Sequence, residues 1–384
     1  MPTLHPDDAA RPAPATTRRG ALRTLAAWAA PSLAAALLPA CGGGGGAEAP
    51  APAPAPAPPP TGPQISPDGL PGRIVRRLRN GPAGLIAATD DGAWRRGAGG
   101  GWARAGLSGT TVLDLVAVSA ERWLVSAHPT AGPVDAAVVL ETTDAGASWH
   151  PVDHDFGGAA GREPVHTLLH DAAAQRLLAT GASALAQSLD HGRSWQLLTG
   201  QWRAFSGTKD ALAFDPALGD VWFGGQDAIE GATLVRRRAD GTVVRHDGLL
   251  PAPATVKAVR FGYAQPARLL VAGEGGIVET RDHGASWRPL LADANHRFYF
   301  DVMQDVLRPQ RLVTAGWDKN FDQPQPLVLE ISDDDGATWQ RHVHPDPALF
   351  GGAWSLTLTI EDGGRRVVYV GLYRGGVMRV VLPD

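Results

Sequence analysis

One cysteine among 384 residues leaves no partner for an intrachain disulfide. Long apolar runs are missing as well. The richest stretch, residues 24–40, has only 17 residues and is broken by Pro31 and Pro39, which is short for a membrane span. Charge is modest, with 19% Asp, Glu, Lys and Arg and a formal net charge of −4. Setting aside residues 1–40 removes four Arg and two Asp and takes that charge to −6. A mildly acidic domain argues against general nucleic-acid binding. Nucleophile-elbow, phosphate-loop and zinc-helix motifs are absent.

What the chain has is a repeated motif. Thr142-x-Asp144-x-Gly146-x-Ser148-Trp149 recurs as Ser188-x-Asp190-x-Gly192-x-Ser194-Trp195. It returns as Thr280-x-Asp282-x-Gly284-x-Ser286-Trp287 and as Ser332-x-Asp334-x-Gly336-x-Thr338-Trp339. An Asp followed two residues later by Gly is turn chemistry: the carboxylate accepts backbone N–H groups and the Gly takes a positive φ freely. The flanking hydroxyls tie the ends of the turn. The Trp buries a large apolar surface between neighbouring sheets. The pattern resembles the Asp-box (BNR) repeat of sialidase-like, sortilin-like and photosystem-assembly-factor-like β-propellers. On that resemblance Asp144, Asp190, Asp282 and Asp334 are structural, not catalytic, and internal repeats of about 45 residues mean an array of sheets.

Between the motifs lie short apolar runs ending in small residues, such as Arg176–Gly181, Arg268–Gly273 and Arg366–Gly371. Continuous apolarity over about five residues suits a strand buried on both faces. Each run is flanked by further strand-like segments, which gives units at 74–106, 112–153, 165–199, 211–247, 256–291, 298–343 and 354–383. Units one and four carry degenerate motifs, Thr89–Trp94 and Ala239–Gly241. The expected fold is therefore all-β, a seven-bladed propeller of four-stranded antiparallel blades. The last unit lacks its fourth strand unless the segment around Gln64–Leu70 returns to fill it.

The first sixty residues read differently. Thr17-Arg18-Arg19-Gly20-Ala21-Leu22-Arg23 resembles a twin-arginine export motif, and Leu38-Pro39-Ala40-Cys41 resembles a bacterial lipobox with Pro39 as a departure. The expectation is a signal segment over 1–40, lipidation at Cys41, a Gly/Ala-Pro linker over 41–66 and the propeller over 67–384. Localisation follows: exported, periplasmic, and held to a membrane through a lipid anchor only, or else soluble in the periplasm or secreted. The alternating Ala-Pro part favours extended polyproline II.

In a propeller the motif turns join third to fourth strands, so any site is expected on the opposite face. The loops there nominate Trp202, Arg203, His296, Arg297, Tyr299, Trp317, Asp318, Lys319 and Trp354 as a contact surface, because aromatics beside Arg suit both interface centres and sugar platforms. No catalytic, cofactor-binding or metal-binding residue stands out, and no cofactor is expected. The chain as a whole resembles the photosystem II assembly and stability factor family over residues 70–384. That resemblance implies a non-catalytic scaffold docking on a protein partner in the cell envelope, and a basic patch, here Arg73, Arg76, Arg77 and Arg79 with Arg95 and Arg96, or Arg236–Arg238. The alternative is a glycoside hydrolase, sialidase-like or xyloglucanase-like, or a carbohydrate-binding propeller. The near-N-terminal Arg-Ile-Pro signature of sialidases is not met by Arg73-Ile74-Val75. A monomer is expected.

Overall fold

The computed structural model describes residues 62–383 apart from 130–137, 153–154, 159–162, 204–206, 228–230, 252–254 and 264. The expectations for the signal segment, Cys41 and most of the linker lie outside those residues.

Seven four-stranded antiparallel sheets follow one another along the chain. Blades one to six span residues 75–104, 110–151, 167–199, 207–247, 256–292 and 298–343. Blade seven takes three strands from 353–381 and its fourth from the far end of the chain. Gln64–Gly69 pairs antiparallel with Gly376–Val381, Gln64 opposite Val381. The ring is thus closed by main-chain hydrogen bonds between residues more than three hundred positions apart. This strand starts inside the stretch read as linker. Its Asp68 also reaches blade one, accepting from Arg96 Nη2 at 2.8 Å and Trp102 Nε1 at 2.8 Å.

Burial follows position within each blade. The second strands carry the apolar runs and are sealed from water, as in Arg176–Thr180 and Val221–Gln226. The fourth strands are mostly wet, as in Val243–Asp247 and Gln340–Val343. A strand with neighbours on both faces must be apolar throughout; one at the rim need not be. The first strands of successive blades lie against one another and form the inner ring, with Ala353–Glu361 of blade seven against Val75–Gly81 of blade one. Apolar clusters sit between blades: Val313, Leu329 and Ile331 of blade six pack with Leu356, Val368 and Val380 of blade seven.

The four motif turns share one hydrogen-bond pattern. In the first, Ser148 donates its backbone N–H to Asp144 Oδ1 (2.9 Å) and its hydroxyl to Oδ2 (2.6 Å). Thr142 donates to Asp144 Oδ1 (2.7 Å) and accepts the N–H of Gly146 (2.9 Å). Gly146 sits at φ 95°, and a Cβ there would lie 2.4 Å from the Ala105 carbonyl oxygen. Two of the Trp side chains cross to the preceding blade, Trp149 Nε1 donating to Ala105 O (2.8 Å) and Trp339 Nε1 to Leu290 O (2.9 Å). Trp287 does the same by packing on Trp222, ring centroids 6.2 Å apart. Trp195 packs on Phe156 in a cluster that also holds Leu124 and Val139 of blade two.

One degenerate motif is placed elsewhere than expected. Thr89–Trp94 spans the turn between the second and third strands of blade one, not the third and fourth. Asp90 and Asp91 alone separate Thr89 from Gly92, so the segment closes a two-residue hairpin with Thr89 Oγ1 donating to Gly92 O. The third-to-fourth turn of blade one is Gly97–Gly101, a glycine-rich loop with no Asp. The blade-four copy, Ala239–Gly241, does lie between third and fourth strands.

Candidate functional site

The entrance to the central channel lies on the face away from the motif turns. Six of the seven first strands shift register near their starts, for example between Val75 and Arg77, Val112 and Asp114, and Tyr299 and Val302. The strands of blades four, five and seven shift at Gly207–Ala211, Val256–Ala258 and Ala353–Ser355. In a regular strand, consecutive side chains point to opposite faces; a bulge breaks that rule and re-aims them. Neighbours in sequence therefore line one concavity together, Arg76 with Arg77 and Lys209 with Asp210.

That concavity has a volume of about 380 Å³ and takes side chains from all seven blades. Within the range of small-ligand sites, it has two chemical halves. One is cationic: Arg76, Arg77, Lys209, Lys257 and Lys319, with His128 and His166 beside them. The other is aromatic: Phe298, Phe300, Trp317, Phe321 and Trp354. Among the described residues Asp210 is its one lining carboxylate, and Lys257 holds it at 2.7 Å. Burial works to raise the Asp210 pKa, but the charge and hydrogen bond of Lys257 outweigh it and the carboxyl stays below its ordinary value.

Three of the cations lack such a partner among the described residues. The Arg76 guanidinium lies 5.0 Å from the Trp354 ring centroid and Lys319 Nζ 4.3 Å from that of Phe298. Burial pulls Arg76 below its ordinary pKa, against the opposing fields of Asp90 and Tyr373. Lys209 has no described carboxylate partner. The indole N–H groups of Trp317 and Trp354 are buried without an acceptor among the described residues, and a buried donor left unpaired is a costly exception in a folded protein.

Below the mouth, ion pairs join the first strands of neighbouring blades. Arg79 donates to both oxygens of Asp114 (3.1 and 2.9 Å), and Arg260 binds both oxygens of Asp301 (2.8 and 2.7 Å). Asp114 and Asp301 are sealed from solvent. Each also accepts a backbone N–H from the next blade's first strand, Leu168 at 3.1 Å and Leu356 at 3.3 Å. Ser355 does this for Leu78 of blade one. These side chains pin neighbouring blades at the inner ring.

The nominated residues divide. Trp317, Lys319 and Trp354 line the mouth. Trp202 does not reach a surface: it is a core residue of blade three, packed on Phe156 with Nε1 donating to Phe156 O. Tyr299 is likewise buried, its hydroxyl donating to Asp293 at 3.0 Å, and burial followed by Glu330 pushes its pKa up. Arg297 spans Asp318 (2.6 Å) and Asp293 (3.3 Å) at the rim, and His296 is exposed at φ 53°. Arg203 pairs with Glu163 at 3.3 Å. The arginines named as a basic patch separate: Arg73 pairs with Asp91, Arg96 with Asp68 and Arg236 with Asp220, leaving Arg76 and Arg77 at the mouth. Lys209, Lys257, Phe298 and Phe300 were missed. They sit on strands, where alternation alone gives no sign that a bulge turns them inward. Among the described residues no group of three His, Cys, Asp or Glu is placed to hold a metal ion. No helix among them is long and apolar enough to cross a membrane.

No protein-family model matches the sequence, and no curated protein does. Solved structures do resemble the fold. YCF48 bound to D1 peptide is 15% identical with a TM-score of 0.58, over 86% of this chain and 98% of that one. The GH74 xyloglucanase from Xanthomonas campestris is 17% identical with a TM-score of 0.57, over 82% of this chain and 53% of that one. A chain in the Mitotic Checkpoint Complex is 13% identical with a TM-score of 0.57, over 85% of this chain and 96% of that one. At such low identity the likeness is one of fold, and the chain is similar to all three as a β-propeller.

Proposed function

We propose that the chain is a non-catalytic propeller scaffold that binds a protein partner on the face away from the motif turns, with the channel mouth at the centre. The observation that carries this reading is the mouth itself: cations without carboxylate partners beside an aromatic wall, inside a rigid ring. Aromatics and Arg in a sheltered concavity are what interface hot spots use. A propeller of similar fold has been solved with a peptide bound, which supports the class of ligand. On the sequence resemblances, the motif turns are Asp boxes and the chain is an exported lipoprotein acylated at Cys41, with a signal segment over 1–40 and a linker up to the closing strand. In this reading it serves assembly or stabilisation of an envelope complex as a monomer, and nucleic acid is not its ligand.

A glycoside hydrolase or carbohydrate binder is the second reading, and the aromatic wall favours it. Hydrolysis by the usual route needs two carboxylates flanking the bond; among the described residues one lines the mouth, and Lys257 holds it. Cross-linking in the native envelope followed by mass spectrometry should recover one specific partner through the mouth face, and recovery of none would overturn the scaffold reading. Turnover of a fluorogenic glycoside panel, abolished by a single carboxylate substitution, would establish the second.

A further inference from the structure

The geometry points to a seat for one chemical unit at the channel mouth: a carboxylate carried on an aromatic or apolar body. This rests on the proposed binding face and specifies what that face takes. Arg76, Lys209 and Lys319 line one concavity without a carboxylate partner among the described residues, and like charges held together there favour an anion. Phe321, 39% exposed, offers apolar surface beside them. The aromatic cluster is not a cage for a cationic ligand. Its faces are already covered by the protein's own cations, Arg76 on Trp354, Lys257 on Phe300 and Lys319 on Phe298. A volume of about 380 Å³ fits one or two residues.

The probes are N-acetyl-phenylalanine, its uncharged amide, and a doubly blocked peptide with Glu beside Phe, each titrated into the intact protein by calorimetry. The free acid should bind about tenfold more tightly than the amide, the size expected of a charge-assisted hydrogen bond. Preference between the free acid and the blocked peptide separates a chain end from an acidic side chain as the source of the carboxylate. The double substitution Lys209→Gln, Lys319→Gln should weaken the acid about tenfold and leave the amide unchanged. Asp210→Asn should act in the opposite direction and tighten the acid several-fold, since it releases Lys257; loss of packing alone would not give that sign. Equal affinity for acid and amide, or an acid affinity untouched by the double substitution in a protein of unchanged melting temperature, would overturn the inference. The two proposals fail separately. A cross-linked partner that binds the double variant normally sinks only this seat, whereas acid binding without any partner sinks only the scaffold reading.

Discussion

Asp144, Asp190, Asp282 and Asp334 are surface carboxylates whose hydrogen bonds hold four turns. Hydroxyl and backbone donors, with the downstream Ser or Thr hydroxyl first among them, lower all four pKa values, those of Asp282 and Asp334 to about 2. An unfolded Asp titrates near ~3.9. The folded values are depressed, so this stability is fully present above about pH 4 and is lost as pH falls through the folded pKa values. Thermal melts from pH 5 down to pH 2 should show a drop in melting temperature over that window. Asp282→Asn should lower the midpoint at pH 7 and flatten the acid limb. Gly146→Ala meets both a positive φ and the Ala105 carbonyl, and should destabilise the protein by more than about 1 kcal/mol in chemical denaturation. Trp149→Ala removes both a core ring and a tie to blade one, with an expected cost of about 3–5 kcal/mol.

Strands and their pairings are where sequence reading worked best and where it stopped. The blade count came from Asp–x–Gly turns and apolar runs, since a doubly covered strand must be apolar whatever its neighbours are. The fourth strand of blade seven was legible only as a condition, that Gln64–Leu70 return to fill it, and the pairing meets that condition. Misplacing Thr89–Trp94 shows the limit: Asp–Gly before Trp reads the same in a hairpin between second and third strands. The channel mouth was only partly visible. Trp317, Lys319 and Trp354 lie on or next to loops, but Lys209 and Phe298 lie within strands, and bulges are set by sterics between blades. Two outcomes test this level. Deleting residues 62–71 removes the closing strand and Asp68 together, and should lower the melting temperature sharply or leave the chain unfolded. Asp301→Ala strands Arg260 of blade five and the N–H of Leu356 of blade seven, and should cost about 3–5 kcal/mol in urea denaturation.

At the scale of the whole molecule the ring cannot close until its two ends meet. Every other strand pairing is between neighbours in the chain, so closure carries the largest loop entropy and is expected to limit folding. The Gly376–Val381 strand runs toward the motif-turn face and ends opposite Gln64. Moving residues 62–70 behind Pro383 through a short turn would make the closure an ordinary hairpin. Such a permutant should refold faster at nearly the same equilibrium stability, measured by stopped-flow fluorescence. A permutant that refolds no faster would place the slow step elsewhere.

The position of Gln64 has a mechanical consequence. The chain enters the ring at the motif-turn face, while the mouth opens on the other. A pull between whatever precedes Gln64 and a ligand held at the mouth would run along the closing strand, loading its hydrogen bonds in parallel. A pull between Gln64 and Val381 would open the same bonds one pair at a time. The ring should therefore withstand a tug from its ligand at forces that would peel it apart from its own ends.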